Sequence, residues 1–338
     1  MSNSYIKVLH FDLESSHSVN FATEMVYLAL FILLFVLELL YIRVAKHIKG
    51  MLQVPQYRSS HTVATISGGG FIFYIAALCA ALLDSPTDNA SIIIGWSAMA
   101  AISFCDDFRP QGISARLICY IAGVSLILFQ LDMHIPLWLC ILLVTIGIAF
   151  LNAYNFMDGI NGITVAYTAV VFGSLAWLNI RLDFINGDYL WFMLIATVVF
   201  SFFNFRRRAL CFAGDVGAIT IGGVTLFILF KLILGGHSPW WIVLVSVYGI
   251  DSALTIFRRL LRGERIYLPH RLHLYQLLSN ECGMNHLLVA SIFAITQAAV
   301  NICAILLPPE ALGFYTVAVL VALSAAWCIA VYRINRTH

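Results

Sequence analysis

Leu151-Asn-Ala-Tyr-Asn-Phe-Met-Asp-Gly-Ile-Asn-Gly162 lies between an apolar run at 137–150 and another at 163–180. Three asparagines, one aspartate and two glycines therefore fall where hydrocarbon gives way to water. Asn152, Asn155 and Asp158 are three residues apart, so on a helical end they share a face. Gly159 and Gly162 let the backbone turn, with Asn161 between them. Ending a helix takes one such residue, and this turn has six. It reads as a polar site built where two membrane spans meet.

The rest of the chain agrees. Of 338 residues, 61% are hydrophobic and 11% charged, against about a quarter charged in an average globular chain. A span needs about 20 apolar residues. Eleven candidates are found, at 22–42, 69–83, 91–105, 115–131, 136–153, 162–180, 189–204, 216–235, 240–257, 287–306 and 312–332. The expected fold is all-α, a polytopic integral membrane protein with about 11 transmembrane helices. Residues 1–21 read as a short N-terminal periplasmic tail, 22–332 as one membrane domain and 333–338 as a C-terminal tail. No cleavable signal peptide is evident in the first 21 residues.

Charge sets the orientation. With loop 43–68 cytoplasmic, 16 of the 19 Lys and Arg fall on the cytoplasmic side and two, Lys7 and Arg181, on the other. The N-terminus is then outside, the C-terminus cytoplasmic, and 151–162 faces the cytoplasm. Eight cysteines without paired spacing argue against zinc and against a disulfide framework.

Four more cytoplasmic segments carry chemistry. Ser67-Gly-Gly-Gly70 opens a span, where glycine permits close approach to a neighbour or ligand or simply tight helix packing. His61, just before it, reads as a loop residue. Cys105-Asp106-Asp107-Phe-Arg109-Pro110 sets two carboxylates side by side, so a cation is expected nearby, either Mg²⁺ or Arg109. Arg206-Arg-Arg208 precedes Gly214-Asp215-Val-Gly217. The arginines fit the positive-inside rule, and Asp215 fits either an N-cap or a site acid. Pro269-His270-Arg271-Leu-His273-Leu-Tyr275-Gln276 offers donors at fixed spacing, suited to an anionic ligand. Glu38, Lys231 and Asp251 lie inside spans and carry less weight.

Four acids, several asparagines and glycines, and an Arg/His loop thus collect on one membrane face. Carboxylates with arginines suit Mg²⁺ and a polyphosphate. The residues alone lead to phosphoryl-type transfer at the inner face of a membrane.

These motifs, over roughly residues 40–280, resemble the polyprenyl-phosphate N-acetylhexosamine-1-phosphate transferases (glycosyltransferase family 4). The carriers are the Gly68–Gly70 span start, Asp106-Asp107, Asn152 to Gly162, Gly214-Asp215-x-Gly217 and His270-Arg271-x-His273. The resemblance implies UDP-N-acetylhexosamine and undecaprenyl phosphate as substrates, in the membrane lipid of the bacterial inner membrane. It implies Mg²⁺ as cofactor, with Mn²⁺ as a possible substitute, bound by Asp215 beside Asn155. Asp106, Asp107 and Asp215 are the catalytic candidates. Asn161 is implied at uracil, and Arg116 as a cation directed at phosphate. Arg271 and His273, with His270, are implied at the pyrophosphate and sugar; Asn152 and Asp158 complete the substrate-binding set. No nucleic-acid partner is expected, and a homodimer is possible.

Two departures bear on the branch. The family's Asp-Asp-x-x-polar pattern ends here in Pro110, for which Arg109 is a candidate replacement. The multi-histidine motif is reduced to His270 and His273, which points from the peptidoglycan MurNAc-pentapeptide branch toward the O-antigen-initiating branch of lipopolysaccharide synthesis. The rival class is a transporter or lipid flippase, which requires polar residues through the midplane and on both faces.

Overall fold

The computed structural model describes residues 2–55, 63–132, 135–265 and 270–337. His61 lies outside them. Among the described residues nine helices are long and apolar enough to cross a membrane, and two shorter apolar ones, Phe71–Asp84 and Asp188–Asn204, complete the eleven candidates. The protein is an all-α, multi-pass membrane protein. In order they are α1 (Ser2–Ala45), α2 (Phe71–Asp84), α3 (Ala90–Phe108), α4 (Ile113–Gln130), α5 (Leu137–Met157) and α6 (Ile163–Leu182). Then follow α7 (Asp188–Asn204), α8 (Gly214–Leu234), α9 (Ser246–Leu261), the short α10 (Leu274–Gln276), α11 (His286–Leu306) and α12 (Leu312–Thr337).

The expected spans match these helices to within a few residues, and the differences are informative. Helix α1 runs back to Ser2 through the segment read as a tail. Helix α5 continues past 153 to Met157, so Asn152 and Asn155 ride on the helix and Asp158 is its C-cap.

α8 is apolar all round and is 89% buried along its span, as expected of a helix with no polar face. It packs against α2, α3 and α5. The outer helices α4, α5 and α12 are about one-fifth buried. They turn side chains such as Phe129, Leu137 and Phe314 outward, which in a bilayer meet hydrocarbon.

Close contact at the start of α8 depends on glycine. A Cβ on Gly70 would come within 2.6 Å of the Ala213 carbonyl and would overlap Gly217 Cα. The backbone there is stitched as a small sheet. β1 (Leu52–Gln53) pairs antiparallel with β2 (Thr65–Ile66). Phe212 N–H donates to Ile66 O (2.8 Å), and Gly69 and Gly70 N–H donate to Phe212 O and Ala213 O (3.0 and 2.9 Å). The Gly68–Gly70 run therefore serves close packing against its own neighbour.

A 3-10 turn, Pro239–Val245, enters the bundle and becomes α9. Backbone groups at that junction need partners, because lipid supplies none. Gln297 provides them: its Oε1 accepts from Val247 N–H (2.8 Å) and its Nε2 donates to Val243 O (3.0 Å). Asn301 Nδ2 donates to Ser174 Oγ (3.0 Å) and to Leu244 O (3.3 Å). These midplane polar groups therefore satisfy the protein's own backbone. At the end of the bundle away from α8's start, Asp84 accepts from Asn186, Asn89 and Tyr189. Lys231 is exposed.

Candidate active site

The last turn of α3 delivers Asp106 and Asp107 to the start of α8. Asp107 Oδ1 accepts from Asp215 N–H (2.9 Å) and from Ser67 Oγ (3.1 Å), and its Oδ2 accepts from Val216 N–H (3.0 Å). A helix start offers unpaired N–H groups and partial positive charge, and a carboxylate satisfies both. Gly214 makes this possible: its φ is +69°, and a Cβ there would come within 2.6 Å of an Asp107 oxygen.

Asp106 and Asp215 are held differently. Arg116, in the first turn of α4, places Nη1 2.7 Å from Asp106 Oδ2 and 3.3 Å from Asp215 Oδ2. Asp106 Oδ1 also accepts from Gln111 N–H (2.5 Å). The cation expected beside the acid pair is thus Arg116, ten residues on. Arg109, the nearer candidate, is an exposed C-cap and lies outside the cavity lining. Arg116 Nε is buried and has no hydrogen-bond partner among the described residues, so the guanidinium keeps a donor for an oxyanion.

The end of α5 forms a second wall. Asn152 Nδ2 donates back to Ile148 O (2.8 Å). Asp158 accepts from the Thr164 hydroxyl; burial raises its carboxyl to about 6, against the lowering effect of that bond. The glycines of the turn are required by their neighbours. A Cβ on Gly159 would lie 2.9 Å from Tyr275 Cζ, and Gly162 has φ +82°. Tyr275 Oη donates to Phe156 O (2.8 Å). Asn161 Nδ2 donates to the carbonyls of Arg206 and Arg207 (3.2 and 3.1 Å). Asn204 Oδ1 accepts from Gly162 N–H (2.8 Å), and its Nδ2 donates to Cys211 O (3.0 Å). Two asparagines thus clamp the turn to the segment that leads into α8.

The third wall is the turn around α10. His270 and His273 are ring neighbours (centroids 4.9 Å apart), and Phe156 packs edge-on to His270 at 6.2 Å. Burial, then the nearby His273 and Arg259, lower His270 to about 4, so it is neutral at physiological pH. Arg271 is half-buried and lies outside the cavity lining.

These walls enclose a cavity of about 1040 Å³ at one end of the bundle. Ten of the eleven residues singled out in the sequence line it: Asp106, Asp107, Arg116, Asn152, Asn155, Asp158, Asn161, Asp215, His270 and His273. Residues missed at that stage are Ser67, Thr164, Asn204 and Asp251, which orient the lining. Of these, only Asp251 had a visible signal, as an acid inside a span.

Among the described residues no three His, Cys, Asp or Glu side chains converge as a metal cage. A divalent ion here would complete its shell with oxygens of a bound diphosphate, the ordinary habit of Mg²⁺. Asp215, which accepts from Arg116 Nη1 at 3.3 Å, and the Asn155 amide fit that donor set.

Comparison with known proteins bears out the resemblance read from the motifs. Residues 89–233 match the family model described as glycosyl transferase family 4. The chain is 26% identical to an undecaprenyl-phosphate alpha-N-acetylglucosaminyl 1-phosphate transferase of Yersinia pestis over 287 residues, covering 76% of each chain. It is 24% identical to a phospho-N-acetylmuramoyl-pentapeptide-transferase of Lacticaseibacillus paracasei over 241 residues, covering 61% of this chain and 73% of the relative. A Streptococcus pneumoniae enzyme of the same name is 23% identical, with 63% and 73% covered.

Proposed function

On the premise of that shared family pattern, we propose that the chain transfers a sugar-1-phosphate from a UDP-sugar to a polyprenyl phosphate. The observation that carries the reading is the cavity itself. Two carboxylates share one arginine on one wall, amides and histidines line the others, and all of it opens at one end of a membrane bundle. Within the type, we favour an N-acetylhexosamine donor of the GlcNAc, FucNAc or QuiNAc kind and undecaprenyl phosphate in the bacterial inner membrane. The product would start O-antigen or another envelope glycan. The reduced histidine motif supports this branch over the pentapeptide one.

In the reaction an oxygen of the lipid phosphate attacks the β-phosphorus of the UDP-sugar. One P–O bond forms there, the bond to the bridging oxygen breaks, and UMP leaves with that electron pair. Arg116 faces this charge, with Nε available for a phosphate oxygen. Asp106, oriented by Gln111 and Arg116, serves in this reading as the base toward the lipid phosphate. Little base strength is needed, since a phosphate monoester with a second pKa of about 6 is mostly dianionic at neutral pH. Asp107 holds the start of α8, and so Asp215, in register. Asp215 with Asn155 would hold Mg²⁺, whose charge neutralises the diphosphate as negative charge moves to the leaving group.

Purified protein is incubated with Mg²⁺, undecaprenyl phosphate and a panel of UDP-amino sugars, and UMP is measured. The expected result is release with at least one donor, abolished by EDTA. Absence of release across the panel overturns the reading. The polar groups at the midplane are spent on the protein's own backbone, which counts against a transport path.

A further inference from the structure

We propose that Asp251, on α9 beneath the α10 turn, is a positioning residue that sets the His273 ring so that Nε2 is presented to the sugar-phosphate end of the donor. This rests on the donor-binding reading above and assigns a role to an acid outside the lining residues.

Asp251 is 2% exposed. A buried carboxylate among apolar helices costs several kcal/mol unless donors surround it, so its partners show what it is kept for. Oδ1 accepts from Leu274 N–H (2.8 Å), Trp327 Nε1 (2.9 Å) and Thr255 Oγ1 (3.3 Å). The first bond caps α10, and the second ties that turn to α12. Leu277, just after α10, packs on Trp327, Val331 and Ile334. One oxygen therefore joins α9, the turn and α12. Oδ2 has no hydrogen-bond partner among the described residues.

His273 opens that turn and is 1% exposed. Its Nδ1 lies 3.8 Å from Asp251 Oδ1, and Gln276 Oε1 accepts from His273 N–H (3.3 Å). Phe156 and Tyr275 pack on the ring at 5.9 Å each. Neither ring nitrogen has a hydrogen-bond partner among the described residues; Nδ1 is the one beside Asp251, which leaves Nε2 for a ligand in a ring that lines the cavity. A buried, unsatisfied ring nitrogen is costly unless something fills it, and a polar atom of the donor would. A carboxylate behind an imidazole is a general means of fixing which edge faces the ligand.

The experiment combines kinetics with ¹⁵N-histidine spectra of the full-length protein in detergent. His273 is assigned from the resonance lost in His273→Gln. Asp251→Asn is expected to shift the His273 ring nitrogens and to lower kcat/KM on the order of 10-fold. In a His273→Gln background it should cost nothing further, because it acts through that ring. Additive losses, or an unshifted His273 resonance, overturn the proposal. Should Asp251→Asn fail to insert, Trp327→Phe removes one donor from the same oxygen and faces the same two criteria, with a loss of about 3-fold expected. If wild-type protein releases no UMP from any donor, the transferase reading fails, while the ring spectrum still decides whether Asp251 sets His273.

Discussion

Asp107 in the acid cluster and Asp251 beneath the histidine turn do the same backbone task with different remainders. Each sits on a membrane helix and accepts N–H groups from the residues that open another element, Asp215 and Val216 in one case and Leu274 in the other. Asp107 has both oxygens taken, by backbone and by Ser67. Asp251 crowds its donors onto one oxygen and leaves a histidine beside it. Asp107 takes three donors of the protein itself, so in the acid cluster the chemistry is proposed for Asp106 and Asp215, which share Arg116. At the histidine turn the acid still has a neighbour to act through.

The largest effect that would break this contrast is at Asp215. Asp215→Asn keeps the backbone N–H that Asp107 caps and removes the charge that faces Arg116 and that is proposed to hold the metal. UMP release should fall about 100-fold or more, with membrane insertion and melting temperature unchanged. Activity near wild type would take Asp215 out of the metal site.

Asp107 should behave in the opposite sense, with stability affected first. Asp107→Ala leaves two helix-start N–H groups and the Ser67 hydroxyl without their acceptor, for an expected cost of about 2–4 kcal/mol. Asp107→Asn, which keeps one acceptor oxygen, should fall between. Thermal unfolding in detergent measures both. An unchanged melting temperature in the alanine variant would mean that the cap does not hold α8.

A smaller effect is expected at Asn161. Its amide N–H groups hold the Arg206 and Arg207 carbonyls, so Asn161→Ala should cost about 1–2 kcal/mol. It should also raise the KM for the UDP-sugar more than it lowers kcat. A kcat effect alone would place Asn161 at the reacting atoms instead.

Much of this was legible in the chain, for reasons that differ by residue. Apolar length marked the spans, and the density of Asn, Asp and Gly between two of them marked the turn at 151–162. The partner of Asp106 and Asp215 was not legible: Arg116 reaches them because α4 starts beside α8, a packing fact, and the nearer Arg109 was the natural choice. The double use of Asp107 was equally hidden, since a cap and a catalytic acid look alike as letters. Asp251 showed only as an acid in a span, because two of its three donors lie 23 and 76 residues away.

The last prediction concerns His270, and its sign follows from the direction of the shift. Burial first, then His273 and Arg259, lower it from 6.5 to about 4, with Glu264 and Asp251 pulling the other way. Between about pH 4 and 6.5 the unfolded chain then binds more proton at this site than the folded one, so stability rises with pH across that window. The contribution is complete above 6.5 and is lost as pH falls through about 4. His270→Gln should flatten that part of the stability curve, read as melting temperature against pH, and change little at pH 7.5. The effect should be modest, because the ring is only half-buried. A variant that keeps the full wild-type slope would assign that pH dependence to other groups. It would also mean that the turn does not hold this ring neutral, and the histidine wall would then carry positive charge toward the cavity at mildly acidic pH, as Arg116 does on the acid wall.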